Sequence, residues 1–396
     1  MTPKQIEQCA RELEAFHERL GPLFPDRRQR PWYRRWVHGL LLDGVRKNAA
    51  ELARVVPGGE VQAMQQFLTD STWPWQPLLD ELQTMAAETL GEPEAVLVCD
   101  DTGFAKKGTQ SVGVARQYSG TLGKVDNCQI GVFCAYVSSK GRCLVDGRLY
   151  LPKQWAKSRK RRNKAGVPKQ VQFHTKAQLA VQMIERAAAG PLPFRWVACD
   201  DGYGRDGGFR QSVDDLGLLF VCEVPSDQRV WTELPQLPER TPGQMGRPRT
   251  QAHKAPGAPK SRKVCQLAER MEDGHRIQVR EGTKKPIAAD WAALRVWPSV
   301  NRAPGRERWL LVERSAAGLK YYLSNASADT PLETMADVAK QEWFVEPCFR
   351  DLKQEVGLAD YEARKWSSWY HHVTLCLLAG LFLTITRTQW SKRGTA

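Results

Sequence analysis

Ala95-Val96-Leu97-Val98-Cys99-Asp100-Asp101 is an apolar run that ends in two acids, and Val197-Ala198-Cys199-Asp200-Asp201 closes a second run in the same way. Short apolar runs rich in valine are typical of strands buried on both faces. Each run is therefore predicted to deliver carboxylates at the carboxyl end of a strand. A single strand-end aspartate is most often a turn or capping residue. A matched pair in a basic chain favours a shared chemical role.

The segments around these two strands alternate between strand and helix. Further strands are predicted at residues 129–137, 141–151 and 218–224, a helix at 176–189, and a basic, glycine-rich turn at 106–113. The order is three strands, a helix, two strands and a late helix. This order predicts an α/β fold with an RNase H-like mixed sheet flanked by helices.

Composition and periodicity divide the chain into four predicted segments. They are a helical DNA-binding domain at 1–92, the first part of the catalytic core at 93–224, an insertion or long loop rich in Pro and Gly at 225–305, and the second part of the core with C-terminal helices at 306–390.

The charge of the chain indicates its partner class. The 396 residues carry a formal net charge of +14 at pH 7. A surplus of this size favours a polyanionic partner, with nucleic acid ahead of a membrane surface. No run of about 18 apolar residues occurs, and the most apolar run, 373–385, is predicted to be a buried helix. The N-terminus has no signal-like apolar segment, so a cytoplasmic location without a membrane partner is expected.

The ten cysteines do not indicate zinc or disulfides. No Cys-x-x-Cys pair occurs, and Cys99, Cys199, Cys222 and Cys376 lie in apolar runs. Reduced, buried thiols that pack as small hydrophobic groups are the favoured interpretation.

Three basic stretches are candidate DNA contacts. Residues 27–36 mix arginines with aromatics, and 153–164 hold seven Lys or Arg in twelve residues, while 240–263 contain no acid. Such runs bind phosphates, although solvated surfaces, and for the last two a localisation signal, are alternatives. The predicted contacts in these stretches are Arg30, Arg34, Arg35, Arg159, Lys160, Arg161 and Arg162.

A third carboxylate is expected late in the chain, on a helix. Glu346 and Lys353 are two helical turns apart and share a face with Arg350. Two strand carboxylates and one helix carboxylate supply the hard oxygen ligands that a pair of magnesium ions needs. The neighbouring cations would hold a phosphate.

Together, these motifs resemble the DDE transposases of bacterial insertion sequences, in the branch with a Tyr-x2-Arg-x3-Glu-x6-Lys signature. The matching pieces are Asp100-Asp101-Thr102-Gly103-Phe104-x-Lys106-Lys107-Gly108, Ser111-Val112-Gly113-Val114-Ala115-Arg116-Gln117-Tyr118, Asp126-Asn127-Cys128-Gln129, Leu149-Tyr150-Leu151-Pro152, Asp200-x-x-Tyr203-Gly204 and Trp343-x-x-Glu346-x-x-Phe349-x-x-x-Lys353-x-x-x-Gly357-Leu358.

The resemblance implies the active site and its partners. Asp100, Asp200 and Glu346 would form the catalytic triad, and these three with Asp101 would hold two Mg²⁺ or Mn²⁺ ions. Asp101 competes with Asp100 as the first acid, and the parallel with Cys199-Asp200 favours Asp100. Lys106, Lys107, Arg350 and Lys353 would join the DNA contacts, and a homodimer is expected in the DNA complex.

The chain departs from the family signature at two positions. Ala339 stands where Tyr is expected and Glu342 where Arg is expected, and Pro347 directly follows the third acid. Glu342 is predicted to lie one turn before Glu346 on the same helical face. Three functions remain open: a transposase that cleaves element ends and transfers strands, a DNA-binding protein of the same descent that has lost catalysis, and a nuclease of the same fold.

Overall fold

The computed structural model of this chain describes residues 2–44, 46–120, 123–235, 258–271, 275–280 and 287–394. Two compact units are formed, one by Met1–Phe194 with Trp343–Ala396 and one by Arg195–Glu342. The first unit holds Asp100 and Glu346, and the second holds Asp200. The four predicted segments remain a prediction.

The described elements include these helices: α1 Pro3–Leu20, α2 Arg30–Leu41, α3 Ala49–Val55, α4 Val61–Thr69, α5 Gln76–Leu90, α6 Lys153–Ala156, α7 Arg159–Ala165, α8 Lys176–Ala189, α9 Asp201–Gly204, α10 Gly207–Asp215, α11 Val264–Ala268, α12 Leu332–Gln341, α13 Val345–Glu355 and α14 Trp366–Gly394. The strands are β1 Val96–Ala105, β2 Ala115–Ser119, β3 Lys124–Ser138, β4 Gly141–Leu149, β5 Trp196–Cys199, β6 Leu219–Val224, β7 Arg229–Trp231, β8 Arg262–Lys263, β9 His275–Arg280, β10 Ile287–Val300, β11 Ala303–Pro304, β12 Arg308–Ser315 and β13 Gly318–Ser324.

The sheet of the first unit is antiparallel and is built on β3. This strand pairs with β1, β2 and β4 along its length. Residues 128–137 of β3 are all buried, because helices cover both faces of the sheet. The strand predicted at 129–137 is confirmed, and this stretch is buried on both faces.

The two faces of this sheet meet different helices. On one face, Arg186 of α8 binds the buried carboxylate of Asp146 at 3.0 Å. On the other face, the ring of Phe133 packs edge-on against Phe349 of α13, with ring centroids 5.5 Å apart, and lies 6.3 Å from Trp369 of α14. Along the buried stretch of β1 and β3, side chains therefore alternate between the face of α8 and the face of α13 and α14.

The N-terminal helices pack through aromatic rings. Phe24 stacks on Tyr33 at 4.7 Å, and Phe67 stacks on Trp73 at 5.4 Å. Trp73 in turn stacks on His371 of α14 at 3.7 Å. The aromatic side chains of this region thus form part of the core.

The second unit contains a mixed sheet. β5 and β6 are parallel, and β6, β13, β12 and β10 follow as antiparallel neighbours. With the helices on either side, the chain has the mixed α/β architecture that the sequence predicted. A long loop is the wrong description of the end of 225–305, because β10 pairs with β7, β9, β11 and β12 there. The alternation of β10 was obscured by Pro298 and four alanines.

Three elements differ from the sequence prediction. β1 continues to Ala105, so Asp100 and Asp101 lie within the strand and not at its end. β2 lies in a stretch that the sequence left unassigned. The apolar run 373–385 belongs to the longer helix α14, whose Trp366–Trp390 segment is long and apolar enough to cross a membrane by length and composition. Because 78% of that window is buried inside the fold, as in a core helix, this is weak evidence for a membrane span.

Candidate active site

The two adjacent acids of β1 point to opposite faces of the sheet. Asp100 lies directly opposite Phe133 in the ladder with β3, and Asp101 lies opposite Val132. Directly opposite residues share a face, and successive residues alternate. Asp100 therefore faces α13 and α14, as Phe133 does, and Asp101 faces α8.

Asp101 is bound by a lysine at the start of α8. The Nζ atom of Lys176 lies 2.8 Å and 2.9 Å from the two carboxylate oxygens of Asp101. The position of Lys176 is set by a capping box, in which the Thr175 hydroxyl accepts from the Gln178 amide and the Gln178 side chain accepts from the Thr175 amide. Asp101 thereby ties β1 to α8. This role of Lys176 could not be predicted from the sequence, because a lone lysine carries no recognisable signal.

The helix that carries Glu346 packs on the face of Asp100. Lys353 of α13 donates from Nζ to the Thr102 hydroxyl at 2.7 Å and lies 5.7 Å from the centre of the Phe104 ring. Thr102 and Phe104 alternate with Asp100 along β1, so all three share one face. Burial lowers the pKa of Lys353 to about 8.

Glu346 itself lies in the first turn of α13 and is exposed. Its carboxylate has no hydrogen-bond or ion-pair partner within the part of the chain that the structure describes. An acid in the first turn of a helix is favourably placed relative to the helix dipole. Glu346 is thus available to a ligand.

Asp200 follows β5 directly, as the sequence predicted for a strand-end acid. It caps α9, and its Oδ1 atom accepts from the Tyr203 amide at 3.2 Å. Its side chain is partly buried at the carboxyl end of a strand that pairs in parallel with β6. Ligand sites in sheets with parallel strands commonly occur at this end.

The chemistry of these acids suits magnesium or manganese. Asp100, Asp200 and Glu346 offer only carboxylate oxygens, which are the ligands that such hard cations bind. The donor types therefore fit the expected ions. Within the described ranges, no group of three or more His, Cys, Asp or Glu side chains is arranged so that it could hold a metal ion.

Two of the three predicted arginines of the N-terminal region, Arg34 and Arg35, are already engaged by protein groups. Arg34 forms an ion pair with Glu14 at 2.6 Å. Arg35 lies over the Trp32 ring at 4.8 Å and donates to the Pro57 carbonyl at 3.3 Å. Arg30, at the start of α2, is half-buried. These side chains stabilise the helical region in addition to any contact with DNA.

The two adjacent lysines after β1 differ in burial. Lys106 donates to the Tyr361 carbonyl at 2.8 Å and lies 3.8 Å from the Tyr361 ring centre. Burial lowers the pKa of Lys106 to about 8. Lys107 is exposed and has no ion pair among the described residues. Lys107 is therefore the better placed of the two to meet a phosphate.

The first basic run forms α6 and α7, and its members differ in role. Arg162 donates to the carbonyls of Ala156, Pro168 and Lys169, so its guanidinium holds the local chain together. Arg159 and Lys160 are exposed. In the second run, residues 240–257 lie outside the described residues. On α13, Arg350 is exposed and lies 3.5 Å from Asp351.

The two departures from the signature lie before α13. Ala339 is buried in α12. Glu342 belongs to a 3-10 turn, Glu342–Phe344, that separates α12 from α13. Glu342 and Glu346 are thus in different helical segments, and not on successive turns of one α-helix as predicted.

Comparison with known proteins identifies the family. The model of the DDE superfamily endonucleases matches residues 19–286, which is more than half of the chain. This chain belongs to that family, and the family resemblance seen in its motifs is confirmed. The matched residues include Asp100 and Asp200 and end before Glu346.

One curated relative and one solved structure give further similarity. The probable transposase for insertion sequence element IS701 from Microchaete diplosiphon is 30% identical over an alignment of 239 residues. The alignment covers 58% of this chain and 57% of that protein. The chain thus spans little more than half the length of this relative. The NurA nuclease from Sulfolobus solfataricus aligns over 66% of this chain and 79% of its own, at 9% identity and a TM-score of 0.26. That similarity is too low to assign the fold.

Proposed function

We propose that this chain is a transposase that cleaves DNA at the ends of an insertion element and joins them to target DNA. In this proposal the core is RNase H-like, and Asp100, Asp200 and Glu346 hold two Mg²⁺ or Mn²⁺ ions. The observation that carries the proposal is the orientation of β1. Asp100 faces the helix of Glu346 and Lys353, whereas Asp101 is bound by Lys176 on the other face.

The bound ions would activate the attacking water or 3′-hydroxyl and stabilise the leaving oxygen. The chain's own contribution is positional. Thr102 holds the Lys353 ammonium two residues along β1 from Asp100, where a cation would attract the phosphate that approaches the acids. Exposed Arg350 adds a second cation one turn after Glu346. We propose further that two copies of the chain act together on the paired element ends.

The proposal is tested with an end-labelled duplex that carries one terminus of the element. Cleavage is expected with Mg²⁺ or Mn²⁺ and is expected to stop in excess chelator. Asp100→Asn, Asp200→Asn and Glu346→Gln should each abolish cleavage while DNA affinity is retained, since each removes a metal ligand and a repelling charge. Glu355→Gln, which changes an exposed acid on the same helix, is the matched control and should cleave normally.

The outcomes separate the three functions. Cleavage followed by joining to a second, unlabelled duplex supports a transposase. Cleavage without joining indicates a nuclease of the same family. Tight DNA binding without cleavage in any divalent metal indicates a protein that has lost catalysis, and would overturn the proposal. The mass of the DNA complex in solution tests the two-copy arrangement.

A further inference from the structure

An acid-free basic cleft lies beside the β2–β3 hairpin in the first unit. Its volume is about 540 Å³, and Arg116, Lys160, Arg161 and Lys164 line it. No acidic side chain among the described residues lines it. Arg116 interacts electrostatically with Asp126, which does not line the cleft, and the excess of cations in the lining favours an anionic ligand. We call this feature the basic cleft.

Protein contacts fix one wall of the basic cleft. The Arg161 guanidinium lies 3.8 Å from the centre of the Trp155 ring and donates to the Thr109 carbonyl at 3.2 Å. Lys164 donates to the Gln110 side chain at 2.9 Å. These cations are therefore held in place before a ligand arrives, which reduces the entropy that binding would cost.

An exposed apolar pair continues from the basic cleft along β2. Tyr118 is 62% exposed and Val125 is 52% exposed, and the two lie directly opposite each other in the β2–β3 ladder. Tyr118 is two residues from Arg116, so both point to the same face. Asn127, which lies opposite Arg116, also lines the cleft. The hairpin thus presents an aromatic ring next to the cations of the basic cleft.

The register places this surface on the same sheet face as Asp100. Asp100 lies opposite Phe133 and Arg116 lies opposite Asn127, and the ladders have no bulge between these positions. Phe133 and Asn127 are an even number of residues apart along β3, so they share a face. Six residues of strand span about 20 Å. One DNA strand spaces its phosphates about 3.4 Å apart along the helix axis, so this distance corresponds to about six nucleotides.

We infer that the basic cleft and Tyr118 bind the DNA strand whose phosphodiester lies at Asp100, and that the cleft lies about 20 Å along the sheet from that phosphodiester, a distance equal to about six nucleotides of paired DNA. Arg116, Lys160 and Lys164 contact backbone phosphates, and the Tyr118 ring stacks on an unpaired base. The inference rests on the proposed function, because it takes DNA as the ligand. DNA is favoured over a second protein chain because the surface combines an exposed aromatic with a cleft lined by four cations and no acid, as single-strand binding surfaces do.

The first test compares two double variants that remove the same charge. Lys160→Gln with Lys164→Gln removes two cations of the basic cleft, and Lys140→Gln with Lys169→Gln removes two exposed lysines that lie outside the cleft and outside the basic runs. The affinity for a 30-nucleotide duplex is measured against salt concentration. The first pair should reduce the slope of log affinity against log salt by about two, and the control pair should leave it nearly unchanged.

The second test addresses the tyrosine. Tyr118→Ala should weaken binding of a single-stranded oligonucleotide by about tenfold or more, while Tyr118→Phe keeps the ring and should bind normally. Binding of a blunt duplex of the same sequence should change little in both variants. Equal loss for the single strand and the duplex would overturn the stacking contact.

The remaining outcomes separate this inference from the proposed function. If the unaltered protein binds neither DNA probe, the proposed function fails. If it binds DNA and both double variants lower the salt slope equally, the basic cleft has no special role and the inference alone is overturned. If Tyr118→Ala instead converts a dimer to a monomer in solution, the hairpin is an interface between copies, and the inference is again overturned.

Discussion

The Lys176 ammonium group contacts both carboxylate oxygens of Asp101, at 2.8 Å and 2.9 Å. This ion pair joins β1 to the first turn of α8 on the sheet face that turns away from α13. The adjacent carboxylate of Asp100 points to the α13 face. Two neighbouring acids of identical chemistry are thereby assigned different roles by strand alternation alone.

Exchanging the two acids for their amides tests this division. Asp100→Asn should lower the cleavage rate by about a hundredfold or more, because it removes a proposed metal ligand. Asp101→Asn should retain most of the cleavage and cost about 1 kcal/mol in the free energy of unfolding, since a partly exposed ion pair is lost. Single-turnover cleavage and urea unfolding measure the two effects.

Lys176→Met is the control for this comparison, because it breaks the same ion pair from the other side. It should resemble Asp101→Asn in stability and in cleavage. The opposite result is that Asp101→Asn folds normally but no longer cleaves DNA, while Asp100→Asn stays active. That result would assign the role of first catalytic acid to Asp101.

The affinity for DNA should fall as pH rises through about 8. Burial lowers the pKa of Lys353 to about 8, so its ammonium is charged at pH 7 and is largely neutral at about pH 9. The pKa of Lys353 is lower in the folded protein than in the unfolded chain, so burial of its charge lowers the free energy of unfolding below about pH 8. This loss of stability disappears as the pH rises from about 8 to the ordinary pKa of lysine.

Lys353→Arg separates this effect from other titrations, because arginine keeps its charge over the whole range. The variant should show a flatter dependence of affinity on pH, measured by fluorescence anisotropy. The pKa of Lys106 is also lowered to about 8, so Lys106→Arg is measured in parallel. An unchanged pH profile in the Lys353 variant would show that this ammonium does not contact DNA.

Two exposed or partly exposed cations should differ in their contribution to DNA binding. Lys107→Gln should reduce the slope of log affinity against log salt by about one, since Lys107 has no ion pair within the described chain. Arg34→Gln should leave the slope nearly unchanged, because Glu14 already neutralises Arg34 at 2.6 Å. Equal slopes for both variants would mean that Arg34 leaves Glu14 to bind DNA.

The buried carboxylate of Asp146 should be important for stability. It is 1% exposed and lies 3.0 Å from Arg186 of α8 and 3.4 Å from Arg148. Asp146→Ala leaves two largely buried cations without this partner and should cost about 3 kcal/mol in the free energy of unfolding. Asp80→Ala removes an exposed partner of Arg186 and should cost less than about 1 kcal/mol. The midpoints of urea unfolding curves with equal m-values measure both losses of stability. Equal losses for the two variants would contradict the expected effect of burial.

The order of elements followed from local patterns. The predicted helix at 176–189 coincides with α8, and the predicted strands near 129–137 and 218–224 overlap β3 and β6. Apolar runs and helical periodicity are properties of neighbouring residues, so they can be read along the chain. Strand β10 was missed because its alanines and Pro298 weaken that local signal, while its pairing partners are distant in sequence.

By itself, the sequence determined the mixed α/β architecture, the basic character and the family, because composition and short motifs carry them. Only the tertiary structure decided how similar residues divide their roles. It placed Asp100 towards α13 and Asp101 against Lys176, used Arg162 for local carbonyls, and left Lys160 and Lys164 at the basic cleft. The physical reason is that burial, strand register and tertiary partners set the orientation of each side chain. Several of these partners, such as Lys176 for Asp101 and Gln110 for Lys164, lie more than fifty residues away in the sequence, so no neighbouring residue encodes them.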